Sequence, residues 1–423
     1  MKKFTIFLLS SLALASCSDD KNTPASPIAE KTYDASSGLE LYYNGAVMPG
    51  KSVTFAQDGT KAEITAFSEF DLSQLSALGL SGKIQAPGVV PGSPKLLLNT
   101  DVAAADGTWT FAGTSQNDFC KFAYSGVATD SKLKLFINDA VLNAPVSPEV
   151  WKPAPIEKNS DGTFKSLPFY IDWQYTPLPD VDIDFSAVLS ALTTLPVIPV
   201  YNNTAYMSVS EALTEVLRTV AFRPDGNIIF TYISTSFGAA RIAQTEPNGY
   251  QYVVDSPGSV RLYINPLSFF SLLLNNTSGG TPEADIDLND HGLFPAKKAA
   301  SGNDDGSGSM LDSEMVKNIL KSAMEALLPQ LATGFPLSFD VTADGMHLYI
   351  DTATTVTLLN KILLPVLQDT STVKTILAYI ESDPSLSPLL PEIEKALPLI
   401  PKLFEQTNTL RLGFTFVPYT DGK

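Results

Sequence analysis

Val53-Thr54-Phe55-Ala56-Gln57-Asp58-Gly59-Thr60-Lys61-Ala62-Glu63-Ile64-Thr65-Ala66-Phe67 decides the architecture of the first half of this chain. Residues of strand-forming type alternate on both sides of Asp58-Gly59. That pair tolerates the positive φ values of tight hairpin turns, so the stretch reads as two antiparallel strands. The device recurs at Asp106-Gly107, ahead of Thr108-Trp109-Thr110-Phe111. Phe122-Ala123-Tyr124 and Leu133-Lys134-Leu135-Phe136-Ile137 add further strands of the same period. Only Asp71 to Leu78 carries a helical pattern among them. Short strands punctuated by turns predict an all-β sandwich or barrel over 38–147.

Pro145, Pro148, Pro153 and Pro155 then crowd eleven positions around Trp151. Proline lacks a backbone donor and disfavours both helix interiors and central strands. The pattern predicts a Pro-rich linker over 148–165, with Trp151 as a candidate exposed platform for a ligand.

Beyond it, over 166–423, helical and strand periods mix. Ser186 to Leu195 reads as a helix, as does Ser208 to Leu217, where Ser208 and Glu211 have capping-box spacing. Leu311 to Leu331 has apolar residues at four-residue intervals. Hairpins are expected through Asp225-Gly226 and Asp344-Gly345, and a closing strand over Leu410 to Phe416. Val260-Arg261-Leu262-Tyr263-Ile264-Asn265 aligns with Met346-His347-Leu348-Tyr349-Ile350-Asp351 at an offset of 86 residues. An internal repeat of this kind predicts an α+β domain of antiparallel sheet with covering helices. Alternation would send Leu262, Ile264, Leu348 and Ile350 into the core. Tyr263 and Tyr349 would face solvent or a ligand groove. The fold class expected for the whole is α+β multidomain.

Composition narrows the function. The chain has 423 residues, 44% of them hydrophobic, enough to fill substantial cores. Its net charge is −17. Such a surface repels phosphate backbones, so nucleic acid is not an expected partner. With two histidines, His291 and His347, far apart in sequence, zinc sites and Ser-His-Asp hydrolase chemistry are disfavoured. No glycine-rich phosphate cradle follows a strand, and no cofactor is expected. Asp285, Asp287 and Asn289 place oxygen ligands at alternate positions, as calcium loops do. Asp290 and Ala296 stand where such a loop needs Gly and Glu, so they are weak metal candidates. Cys120 alternates within a strand pattern and reads as a small buried hydrophobe.

The N-terminus supplies an address. Lys2 and Lys3 precede an apolar run from Phe4 to Ala15, the pattern of a secretory signal peptide over 1–16. Leu14-Ala15-Ser16-Cys17 resembles the bacterial lipobox, whose cysteine is acylated. Ser18-Asp19-Asp20 resembles the acidic export tag of Bacteroidetes-type surface lipoproteins. This implies lipidation at Cys17, a flexible tether over 17–37, and anchorage in outer-membrane lipid facing the cell exterior. Removing Lys2 and Lys3 takes 28 basic residues to 26 against 45 acidic, a net charge of −19.

The chain as a whole resembles two-domain surface lipoproteins of Bacteroidetes-type bacteria, a likeness that implies location but no activity. Its helix-and-sheet repeat is similar, at fold level, to tubular lipid-binding domains of the bactericidal/permeability-increasing type. The expected function is a non-enzymatic binding module for an apolar or amphipathic ligand, or an envelope partner. The motif-free chemistry and the apolar segments near 362–401 favour a hydrophobic small molecule. The alternative is a glycan-binding protein or a carboxylate-based glycan hydrolase.

Overall fold

A computed structural model describes residues 26–420 with interruptions, the longest being 74–80, 178–183, 235–240, 268–320 and 382–389. The fold is α+β, with two large curled sheets and a small set of helices.

Sheet I has nine strands among the described residues. In spatial order they are Lys31–Tyr33, Ser52–Asp58, Lys61–Phe67, Leu96–Ala105, Thr108–Gln116, Cys120–Ala128, Leu133–Leu142, Leu39–Tyr43 and Ala46–Val47. Every pairing is antiparallel except Leu39–Tyr43 beside Leu133–Leu142. The Asp58-Gly59 hairpin forms in the expected register, with Gly59 at φ 60°. Leu96, Leu98, Thr100 and Val102 alternate into the core with exposed Leu97, Asn99 and Asp101. That alternation follows from side chains pointing to opposite faces of a pleated strand. The sheet curls until its first strand meets the turn at 129–132. There the Tyr33 hydroxyl donates to the Thr129 carbonyl at 2.6 Å, and Lys31 reaches the Asp130 carbonyl. Cys120 is fully buried, as its strand period predicts.

The chain docks earlier than the tether reading expects. The Trp109 indole donates to the Ser26 carbonyl at 2.9 Å, Ile28 is 3% exposed, and Lys31–Tyr33 is a paired strand. The polar composition of 17–37 hid two apolar anchors, Ile28 and Tyr33, which packing against sheet I is enough to hold. Residues 1–25, Cys17 among them, lie outside the described residues.

Sheet II is the larger. Its spatial order is Arg241–Gln244, Ile228–Ser234, Leu217–Phe222, Val150–Pro153, Thr407–Pro418, Met346–Ile350, Phe335–Val341, Ser259–Ile264 and Tyr250–Ser256. Phe169–Tyr175 also pairs with Thr407–Pro418. An isolated bridge between Asn227 and Gln251 brings the far strands together, so the sheet is strongly curled. The chain's last strand therefore lies in its middle.

This corrects the linker reading. Val150–Pro153 is a strand between Leu217–Phe222 and the last strand, not a connector. It and Phe169–Tyr175 occupy the same edge of the last strand in succession. Thr415 bridges them, accepting from Ala154 and donating to Pro168. Residues 154–168 leave the sheet between these points and carry the small hairpin of Glu157–Lys158 with Phe164–Ser166. Pro153 is tolerated because it ends its strand at the excursion.

The boundary proposed at the prolines is not a gap in packing. Tyr43, Leu142, Trp151, Phe222, Tyr252, Met346 and Phe416 belong to one hydrophobic core shared by both sheets. Polar contacts tie the same joint. Leu142 donates its amide to the Pro224 carbonyl at 2.8 Å, and the Asn265 amide reaches the Pro49 carbonyl at 3.2 Å.

Helices cover one end of sheet II. Phe185–Leu192, Thr352–Gln368 and Ile400–Glu405 enclose a second core of Trp173, Phe185, Leu403, Phe404 and Leu410. The capping box appears as its spacing predicts. Ser208 accepts from the Glu211 amide while the Glu211 carboxylate accepts from the Ser208 amide, at the start of Val209–Val216. Most of the helix expected at Leu311–Leu331 lies outside the described residues.

Candidate functional site

The last strand organises both faces of sheet II. Its sequence Leu410-Arg411-Leu412-Gly413-Phe414-Thr415-Phe416 alternates, so even positions take one face and odd positions the other. Register extends the even face to Trp151, Val220, Met346, Leu348, Phe339, Leu337 and Val260. These residues belong to the shared core or pack against it, so the even face is the inside of the curl.

Along that inner row the burial is uneven. Phe416 is buried in the shared core and Leu410 in the helical core. Phe414, between them, is 39% exposed. Phe169 and Leu348 stand opposite Phe414 on the neighbouring strands, both half-buried, with the Phe169 and Phe414 rings 5.5 Å apart. Among the described residues, Phe414 thus stands between the two cores and belongs to neither. Burying a phenylalanine fully is worth about 1.5–3 kcal/mol, so leaving one open between two cores forgoes stability the fold could have taken.

The outer face is aromatic and charged. Tyr170 stacks on His347 with ring centres 4.3 Å apart and meets Tyr349 at 5.4 Å. Gly413 lies between Tyr170 and Tyr349 in register; a Cβ there would come within 2.0 Å of the Leu348 carbonyl oxygen, so the close approach of the two strands requires glycine. The Tyr349 hydroxyl donates to Asp340 at 2.9 Å, and Arg411 sits over the Tyr349 ring at 5.3 Å. Arg411 also approaches Asp172 at 3.7 Å. Burial holds the His347 imidazole below its ordinary pKa, favouring the neutral ring, while Nδ1 contacts the Thr415 hydroxyl at 3.3 Å. Burial, and then the bond to Asp340, push the Tyr349 phenol up.

The residues singled out in the sequence fare unequally. Tyr263 and Tyr349 do share one face of one sheet, each on the second strand of a hairpin. The register confirms the alternation but not the exposure, because they are 6% and 7% exposed. Tyr263 packs near Gly334 and Arg261, Tyr349 beneath Arg411 and Tyr170. Their partners Leu262 and Leu348 are only half-buried. The expected in-out contrast fails because both faces of a curled sheet carry covering groups.

Trp151 is overturned as an exposed platform. It is 1% exposed and sits in the shared core, its strand neighbours on both sides excluding water. Asp285, Asp287 and Asn289 lie outside the described residues, and among those described no cluster could hold a metal ion.

Tyr170, Asp172, Arg411 and Asp340 escaped the sequence reading. The alternation Phe169-Tyr170-Ile171-Asp172-Trp173 was visible, but strand neighbours were not. A cleft of about 360 Å³ opens elsewhere, where the sheets meet, lined by Asp118, Phe119, Leu142, Asn143, Val254 and Asp255. Asp255 there is engaged by Arg261 at 2.8 Å. Compared with known family models, curated proteins and solved structures, the chain matches none of them.

Proposed function

We propose that this protein is a lipid-anchored binding module of the outer membrane, displayed toward the cell exterior, that holds an apolar or amphipathic ligand against the inner face of sheet II. One observation carries the reading: Phe414 is exposed, beside half-buried Phe169 and Leu348, and among the described residues belongs to neither core. An apolar chain laid there would remove water from three side chains without displacing either core. Cys17 supplies the anchor, and the docked residues from Ser26 onward leave only a short connection to it.

Two measurements test the reading. Native mass spectrometry and organic extraction of the purified protein should reveal a retained hydrophobic compound. Phe414→Ser together with Leu348→Ser should abolish that retention while circular dichroism keeps the strand signal. A protein that retains nothing, and binds no added fatty acid or phospholipid, would remove the proposal. Separately, Cys17→Ala should block incorporation of radiolabelled palmitate and release the protein from membranes.

A further inference from the structure

The outer face of the same strand carries a second, chemically different surface. Arg411 and Asp172 stand 3.7 Å apart, too far for a good hydrogen bond, with 40% and 23% of their side chains accessible. Arg411 bonds the Tyr170 side chain as well, and its guanidinium has five donors, so each group still keeps hydrogen-bonding capacity facing solvent: a planar donor fork beside a carboxylate acceptor. Gln174 holds the other carboxylate oxygen of Asp172 at 3.1 Å, which fixes its orientation. Tyr170 and His347 add a stacked pair of rings alongside, and His347 Nε2 has no protein partner among the described residues.

The charges select the class of ligand. An anion drawn to Arg411 would also meet Asp172 and Asp340. A cation drawn to the carboxylates would meet Arg411. A neutral ligand with adjacent hydroxyls meets neither conflict, since one hydroxyl accepts from the guanidinium and its neighbour donates to the carboxylate. The ring surfaces suit the C–H face of a pyranose, which is apolar and flat.

We propose that Tyr170, His347, Arg411 and Asp172 form a saccharide subsite for a neutral hexopyranose with vicinal hydroxyls. Tyr349 and Asp340 position it. Tyr349 supports Arg411 through its ring, and Asp340 fixes Tyr349 through its hydroxyl. The site is independent of the apolar surface at Phe414, because side chains at successive positions of one strand point to opposite faces.

The chain has two histidines, so ring resonances in a proton–carbon correlation spectrum report on His347 directly, assigned by its loss in His347→Gln. Cellohexaose, maltohexaose and mannohexaose are titrated to about 10 mM, enough to fill a millimolar site. At least one should shift the His347 signal saturably. Tyr170→Ala and, independently, Asp172→Asn should each weaken that titration about tenfold, the loss expected for one stacking or hydrogen-bonding contact. Asp172→Asn is nearly isosteric and keeps the test meaningful should Tyr170→Ala fail to fold. No shift with any of the three sugars overturns the proposal, as does a shift that is unchanged in Asp172→Asn. Neither result bears on retention of an apolar compound at Phe414.

Discussion

The hydroxyl of Tyr43, in sheet I, donates at 2.7 Å to the backbone carbonyl of Asp225, 182 positions later in the hairpin turn of sheet II. Tyr43 is fully buried, and burial raises its phenol well above the ordinary range. The Asn44 amide reaches the Asp225 carboxylate at 3.3 Å beside it. Asn248 closes the joint from the other side, donating to the Ala46 and Val47 carbonyls at 3.2 and 3.1 Å. Two sheets that would each bury an incomplete core alone are locked into one.

This joint predicts a single cooperative unfolding transition for the whole body, since the shared core cannot open on one side only. Tyr43→Phe should lower stability by about 0.5–1.5 kcal/mol, because it removes one part-buried hydrogen bond. Differential scanning calorimetry measures both. Two resolved transitions in the wild type would mean that the sheets fold as separate units.

Trp151 gives a second test of the joint. Trp151→Ala should cost about 3–5 kcal/mol, the range for emptying a large aromatic site in a core. Urea denaturation followed by circular dichroism measures the loss. Trp151→Phe should recover most of it, and neither variant should change sugar titrations at His347. A Trp151→Ala protein as stable as wild type would be incompatible with its burial.

Lys51 predicts a pH dependence. Its ammonium is buried, with the Pro87 carbonyl as its hydrogen-bond acceptor, and burial lowers its pKa from 10.5 to about 7. Between those values the unfolded chain binds a proton that the folded protein does not. Stability contributed at this site therefore rises with pH from about 7 to 10.5 and is lost as pH falls through 7. Lys51→Met should flatten the slope of unfolding free energy against pH across that window. An unaltered slope would assign the dependence to other groups.

Cys120 predicts chemical silence. Burial pushes its thiol up, and no part of the residue is exposed. A version of the protein lacking residues 1–17 should resist iodoacetamide in buffer and take up one equivalent in guanidinium chloride. Rapid labelling of the folded protein would contradict the packing of sheet I.

Where residues act on near neighbours, the sequence by itself determined the outcome. Asp58-Gly59 and Asp225-Gly226 turn their hairpins because glycine accepts the positive φ, 60° and 85°, that the turns impose. Ser208 and Glu211 cap a helix across three residues. The alternation of Leu410 to Phe416 assigns each side chain to a face. Period and local geometry need no distant partner, so they are legible in the chain.

Only tertiary structure decided which strands stand side by side. Trp151, among prolines, looked like an exposed residue of a linker. It is buried because strands Leu217–Phe222 and Thr407–Pro418, far from each other and from Trp151 in the chain, close on both sides of it. Tyr170 meets His347 only because Phe169–Tyr175 and Met346–Ile350 flank the same last strand. Phe414 is exposed for the complementary reason: among the described residues, the two cores are built from distant segments and neither includes it. Hydrophobic burial is non-directional, so apolar pattern marks what must be buried but not against what; strand pairing and packing across the whole molecule settle that.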